Sequence, residues 1–447
     1  MCRPSTQNDL IEGDETQPSL ASTFWKLRAI ALIACCDEAL FFFATGATHY
    51  PYLRTLVRCH TSTTDGFSGS ARCGDADVVL ARGARSGGWA TLAVVVGNVV
   101  CILLWAPQID AVGRRSAVVR SLVGLALGLL ALGAAARADS AALSLGAYFV
   151  TATTSAMQAA AAALASDSCE KDAQRRALAV VGGARGAGTV LASAAGYVVL
   201  RRDLDNYALP YAVCAGLALV VALGARCALA QDAAAAQTER DWRRGARALG
   251  RSCRRAAVAV TGLYAAYYAG FSILSSWGIS QLGMSQSTLS LVVLVQYAGL
   301  ALGAAYPGQG GLVGGSLAIA CGLAATGLAA PRVPQLVWAL PFLAGAGLGA
   351  ASTAASTAVG VNVPRRDQGQ AQACLLLLGY VGAAAGCLAG PRLYAPRASV
   401  LRASLPFFVG AAAAAATALG LAAPRRTRGV LEEALLDEED AAPADCE

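Results

Sequence analysis

Polar and apolar residues fall along this chain in long alternating blocks. Apolar stretches run at about 28–48, 89–107, 116–136, 141–166, 177–199, 208–230, 256–280, 288–306, 311–330, 335–360, 369–390 and 401–423. Most are near the roughly 20 residues that an α-helix needs to cross about 30 Å of hydrocarbon. The pattern predicts an all-α polytopic membrane protein with about twelve transmembrane helices. The softest boundary lies near 306–311, where Pro307 and a glycine run predict a short turn. The first twenty residues are polar and hold no apolar core, so no cleaved signal peptide is expected and the first stretch acts as a membrane segment.

Composition narrows the class. Charged residues make up 14% and AVILMFWYC residues 56% of 447 residues, with 48 glycines. A soluble domain carries about 25% charge, so there is too little charge here to cover a water-facing globule. Disorder is excluded by the apolar content. Fourteen cysteines are too sparse for a small disulfide scaffold. The net charge of +7 sits in short runs between apolar blocks, which fits nucleic acid poorly.

Arginine placement predicts orientation. Basic residues crowd the N-terminal tail, the breaks after even-numbered stretches and the C-terminal tail: Arg3, Lys26 and Arg28; Arg114, Arg115 and Arg120; Lys171, Arg175 and Arg176; Arg226 through Arg255; Arg365 and Arg366; Arg425, Arg426 and Arg428. The positive-inside rule then puts both termini in the cytosol. The expected organisation is a cytosolic tail (1–26), a six-helix bundle (27–230) with a long exoplasmic loop (50–87), a basic linker (231–255), a second six-helix bundle (256–423) and an acidic tail (424–447). The linker reads either as a solvated connector or as a segment that meets anionic headgroups. The acidic tail surrounds Leu435 and Leu436 and reads as disorder or as a sorting signal.

Charge inside the membrane is the strongest candidate chemistry. Asp37 and Glu38 fall near the middle of the first stretch and Arg185 near the middle of the fifth. Each costs roughly 2.5–3.5 kcal/mol at a helix centre on insertion scales. Both positions lie at a similar depth, so pairing is geometrically possible. Adjacent residues differ by about 100° around a helix, so Asp37 and Glu38 cannot both face one partner. Two readings stay open: a structural ion pair with a spare carboxyl, or a proton- or substrate-coupling site. The second half supplies uncharged polar groups: Tyr264, Tyr267, Tyr268, Gln296, Tyr297, Ser352, Thr353, Ser356, Thr357 and Gln372. Tyr264, Tyr267, Tyr268 and Phe271 share a helical face. That face reads as helix packing or as the wall of a cavity that stacks a planar solute. Four G-x-x-x-G pairs (124/128, 182/186, 311/315 and 345/349) read as close helix packing.

The break after the second stretch reads Ala106-Pro-Gln-Ile-Asp110-Ala-Val-Gly113-Arg114-Arg115. It resembles the signature loop of the major facilitator superfamily, G-x-x-x-D-R-x-G-R-R. Asp110, Gly113, Arg114 and Arg115 are kept, while Ala106 and Ala111 depart from the pattern. The resemblance implies two six-helix bundles and a gating role for this loop. A second likeness spans Val363 to Ala373 and continues to Gly390-Pro391-Arg-Leu393-Tyr394; it is similar to tetracycline-type carriers and proton-coupled folate carriers. Asn206 to Tyr211 and Leu405 to Phe408 extend the folate-carrier likeness. The arginine of the family's R-x-x-Q-G pattern is missing from 141–166, where Gln158 keeps the second half, and 177–199 lacks the Gly-Pro mark of proton antiporters.

Cys59 and Cys73 share the long exoplasmic loop and read as a local disulfide or as two free thiols. The staple that folate-type carriers place between two outer loops is absent, since 281–288 holds no cysteine. No metal-ligand spacing, P-loop or hydrolase arrangement appears, so neither a cofactor nor an enzyme is expected. The expected function is secondary transport of a small solute, organic and planar or anionic, by alternating access with proton symport. The expected partners are the solute, protons and the lipid bilayer, for a monomer. Facilitated diffusion and a non-transporting receptor or scaffold that keeps the fold remain the alternatives.

Overall fold

The computed structural model describes residues 20–47, 88–105, 113–138, 140–154, 156–169, 171–201, 207–229, 242–305, 311–395 and 399–423. Among the described residues, all twelve apolar stretches are helical, the fourth in two pieces. In the first half they are α1 (Leu20–Phe42, continued by a π-turn, Phe43–Ala47), α2 (Gly88–Trp105), α3 (Arg114–Arg137), α4 (Ala141–Thr153), α5 (Met157–Asp167), α6 (Lys171–Arg201) and α7 (Ala208–Ala228). A short helix, α8 (Trp242–Ser252), precedes the second half: α9 (Arg254–Leu282), α10 (Gln286–Ala305), α11 (Gly311–Ala329), α12 (Ala339–Asn362), α13 (Arg365–Leu393), the single turn α14 (Val400–Ala403) and α15 (Leu405–Ala422). No strand occurs among the described residues. Ten of the helices are long and apolar enough to cross a membrane. The other two stretches fall short for visible reasons: α1 carries Lys26, Arg28, Asp37 and Glu38, and the fourth stretch is broken.

That break corrects the continuous helix expected over 141–166. The chain interrupts itself between Thr153 and Met157, where hydroxyls crowd. Thr151 donates to the Ala147 carbonyl (2.7 Å), Thr153 to Val150 (2.7 Å) and Thr154 to Thr151 (3.0 Å). Such back-bonding competes with the helix ladder and bends it. Ser121 of α3 donates to the Thr154 carbonyl (3.1 Å), giving a carbonyl at the break a partner.

Each half packs mainly on itself. In the first half α3 packs on α7 and α1 on α6; in the second, α9 packs on α13, α10 and α11 on α12, and α15 on α9 and α11. Buried Leu125, Leu129, Tyr148 and Tyr211 knit one end of the first half, and Ile30, Val118, Leu122 and Met157 the other. In the second half Trp277 is fully buried against Phe407 and donates its indole N–H to Ser404 Oγ (3.1 Å). Large apolar side chains such as Leu104, Leu127, Leu191, Leu223, Val258, Leu302 and Leu419 point outward on both halves. A water-soluble monomer rarely shows so much exposed apolar surface; lipid tails are its natural solvent.

The halves meet through α6. Its Gly186 lies so close to α10 that a Cβ there would overlap the backbone of Ala301, and its Gly188 does the same to the Cys35 carbonyl of α1. Glycine is needed at both positions because no side chain fits. All four G-x-x-x-G pairs lie at helix crossings inside the chain; Gly124 and Gly128, for instance, meet Thr154 and Thr151. Helix α8 is docked, in contrast to the solvated connector that 231–255 suggested. Arg244 pairs with Asp367 in the first turn of α13 (2.8 Å), Gly245 abuts Gln370, and Leu249 and Cys253 are buried. This marks one end of the bundle as the linker end.

Candidate functional site: a cavity between the halves

A cavity of about 290 Å³ lies at the interface, lined by α1, α2, α5 and α6 from the first half and α9, α10, α12 and α13 from the second. Arg185 stands in its wall. From Nε (3.0 Å) and Nη2 (2.6 Å) it donates to Oε2 of Glu38, and from Nη2 to Oε1 of Gln158 (2.9 Å). Tyr380 of α13 donates to the same Gln158 oxygen across the interface (3.3 Å). The two charged side chains are only 23% and 18% exposed, and that exposure is to the cavity they line. Pairing is what makes this burial tolerable.

Asp37 takes a different course. One residue before Glu38, it is turned about 100° away, is 4% exposed and does not line the cavity. It sits within electrostatic reach of Glu38 and of Cys101 on α2. Its Oδ1 has no hydrogen-bond partner among the described residues. This sets a carboxyl beside the pair that neither faces the cavity nor shares the pair's hydrogen bonds.

The opposite wall is aromatic. Tyr264 and Tyr268 lie near-parallel (6.2 Å between centroids, 23°), as do Tyr267 and Phe271 (5.7 Å, 14°), with Tyr268 edge-on to Phe271 (5.9 Å, 84°). All four line the cavity, as do Tyr297, Ser352, Thr353, Ser356 and Gln372. Phe42 of α1 meets Tyr297 of α10 edge-on at 4.3 Å, joining the halves on the side away from the linker end.

Gln296 is a correction to the expected cavity set. It is buried outside the wall and donates from Nε2 to the Tyr267 hydroxyl (2.8 Å), because Tyr297, next along the helix, takes the cavity-facing position. Thr357 also lies off the wall, donating to the Thr353 carbonyl (2.8 Å). Tyr380 and Asn98 were not singled out in the sequence, yet both line the cavity. Tyr380 had a legible signal: Gln372, Leu376 and Tyr380 fall on one stripe at i, i+4 and i+8. Asn98 had a weaker one, as the lone polar side chain in an apolar run from Leu92 to Ile102.

In the signature-like loop, Asp110 lies outside the described residues, as do Cys59 and Cys73. Gly113 takes a positive φ of 94° just before α3, a conformation that favours glycine. Arg114 donates to the Ala163 carbonyl near the end of α5 (2.9 Å), and Arg115 to the Arg226 carbonyl near the end of α7. Cations near helix C-termini interact favourably with the helix dipole and its last carbonyls.

Two helical halves around a central cavity, embedded by an apolar outer surface, define a polytopic membrane carrier fold. The chain belongs to the Major Facilitator Superfamily, whose family model matches residues 79–318. Among solved structures it is similar to the human organic anion transporter MFSD10, at 17% identity and a TM-score of 0.69, covering 90% of this chain and 99% of that one. It is also similar to the E. coli xylose transporter XylE in a partially occluded inward-open conformation, at 12% identity and a TM-score of 0.61, covering 88% and 96%. A third is the transporter FucP in the outward conformation, at 14% and 0.56, covering 89% and 100%. At these identities the likeness concerns the fold. No curated protein matches the sequence.

Proposed function

We propose that this chain is a secondary transporter that moves a small organic solute, planar or anionic, by alternating access, with a proton as the coupling ion. The observation that carries the reading is the central cavity: both halves build it, and the ion pair of Arg185 and Glu38 lies in its wall. A site at the interface of two bundles can be opened to either side by rocking one against the other. In this reading Glu38 restrains Arg185 and Asp37 carries the proton. The short motifs at 206–211, 363–373 and 405–408 favour the proton-coupled folate and tetracycline carriers within the superfamily, and the folds of an organic anion transporter and a xylose transporter fit a small-solute carrier. Asp110, Gly113, Arg114 and Arg115 act as a gate in this reading, on the side that the arginine distribution favours as cytosolic, with both termini.

The test is uptake of a labelled solute panel into proteoliposomes, with and without an inward proton gradient. Gradient-driven accumulation supports symport. Equilibration that ignores the gradient supports facilitated diffusion, the second reading, which the absence of Asp37 from the cavity wall favours. No movement of any solute overturns both. Orientation is tested by a cysteine placed at the exposed Gly250: labelling by an impermeant reagent from outside intact cells reverses it.

A further inference from the structure

We infer that the cavity selects a small aromatic or planar organic acid over a polyol, seating the acid group on the open Nη1 edge of Arg185. The inference rests on the transport reading for its biological sense, but its binding site stands on geometry alone. A guanidinium carries five N–H donors in a fixed fork. Three are committed, to Glu38 and Gln158, through Nε and Nη2. Nη1 has no acceptor among the described residues, and Arg185 lines the cavity. The two N–H groups left on Nη1 can each donate a charge-assisted hydrogen bond to an acid oxygen.

The other polar groups argue against a sugar. A polyol needs many uncommitted donors and acceptors, because each buried hydroxyl left unpaired costs binding. Here three of the threonine hydroxyls in the wall already bond to backbone. Thr45 donates to the Phe41 carbonyl (2.9 Å), Thr189 to Gly186 (2.6 Å) and Thr353 to Ala304 (2.9 Å). Gln372 donates to the Ser356 carbonyl (2.8 Å). The large remaining surface is the ring wall of α9, with Tyr264 within electrostatic reach of the guanidinium. The cavity volume of about 290 Å³ leaves room for one ring and an acid group.

Charge balance adds a consequence. Arg185 and Glu38 cancel, so an arriving anion makes the site net negative unless a proton comes with it. The titratable and charged groups in reach of Asp37 are Glu38 and the Cys36 thiol on α1, the Cys101 thiol on α2 and Arg185 on α6. Asp37, without a partner for Oδ1, is the group placed to hold that proton. Acid binding should therefore weaken as pH rises.

The experiment measures ligand-induced shifts of melting temperature for purified protein against aromatic acids such as hippurate and benzenesulfonate. Each acid is paired with its uncharged primary amide, and xylose serves as the polyol. At least one acid should bind tenfold or more tighter than its amide, less tightly at pH 8 than at pH 6, with no shift from xylose. Arg185→Gln alone strands Glu38, so the paired variant Glu38→Gln/Arg185→Gln is the control; it should bind acid and amide alike. Amides binding as well as acids, or xylose binding in place of both, overturns the inference. Acid-selective binding without movement of any solute in proteoliposomes instead overturns the transport reading and leaves the acid site standing.

Discussion

The two walls of the cavity solve the same problem in opposite ways. The first half puts charge into the membrane interior and neutralises it on the spot, with Arg185 held by Glu38 and Gln158. The second half avoids charge and lines its wall with rings, two of whose hydroxyls are held by side chains: Gln296 donates to Tyr267, and Ser352 meets Tyr264 (3.4 Å). The charged wall depends on partners, because removing one ion strands the other. The aromatic wall depends on area, and loses stability gradually. The contrast predicts that single substitutions will be far more damaging on the first wall than on the second.

The largest effect is expected at Arg185. Arg185→Gln leaves Glu38 buried without its cation, a loss of about 3–5 kcal/mol when one partner of a buried pair is removed. Glu38→Gln in the same protein should recover much of the loss in a double-mutant cycle of melting temperatures. A double variant no better than the single one would show that the two walls do not differ in this way. Next comes Gly186→Val, which forces apart the backbones of α6 and α10 and should cost about 1–3 kcal/mol by overpacking, read as lower thermal stability in detergent. Tyr267→Phe removes one hydrogen bond from Gln296 on the aromatic wall and should cost about 1 kcal/mol. A cost at Tyr267 as large as that at Arg185 would erase the contrast. Arg244→Ala, at the linker helix, should cost about 1 kcal/mol or less, since its side chain is 31% exposed. Asp37→Asn should change stability least of all, and the informative readout there is accumulation driven by an inward proton gradient, which under the proposed symport should vanish while downhill exchange survives.

Much of this fold was legible because the membrane simplifies the code. A block of about twenty apolar residues has few destinies other than a spanning helix, and all twelve blocks are helical. The break in the fourth block was not legible from hydropathy, since threonine and serine are nearly neutral there. It follows from where their hydroxyls bond, which is a local geometric choice. In the cavity, Glu38, Arg185 and the α9 ring face could be named because charge and aromatic spacing stand out against an alanine-rich background. Gln296 could not be separated from Tyr297, because neither residue type says which of two adjacent positions faces inward. The docking of α8 escaped notice for a related reason: seven arginines mask the stripe of Gly245, Leu249 and Cys253 that seats it.

Helix α6 behaves mechanically as a crank. Its bearings, at Gly186 and Gly188, are backbone against backbone, with no soft side chain to absorb a displacement. Its throw is the guanidinium of Arg185, one residue away on the same turn. A relative movement of the two halves loads the Gly186 bearing against α10, while the Gly188 bearing ties α6 to α1, so a turn or shift of α6 carries the charged tip with it. The link between global motion and the ion pair is therefore a single helical turn, which no relay of side chains needs to transmit.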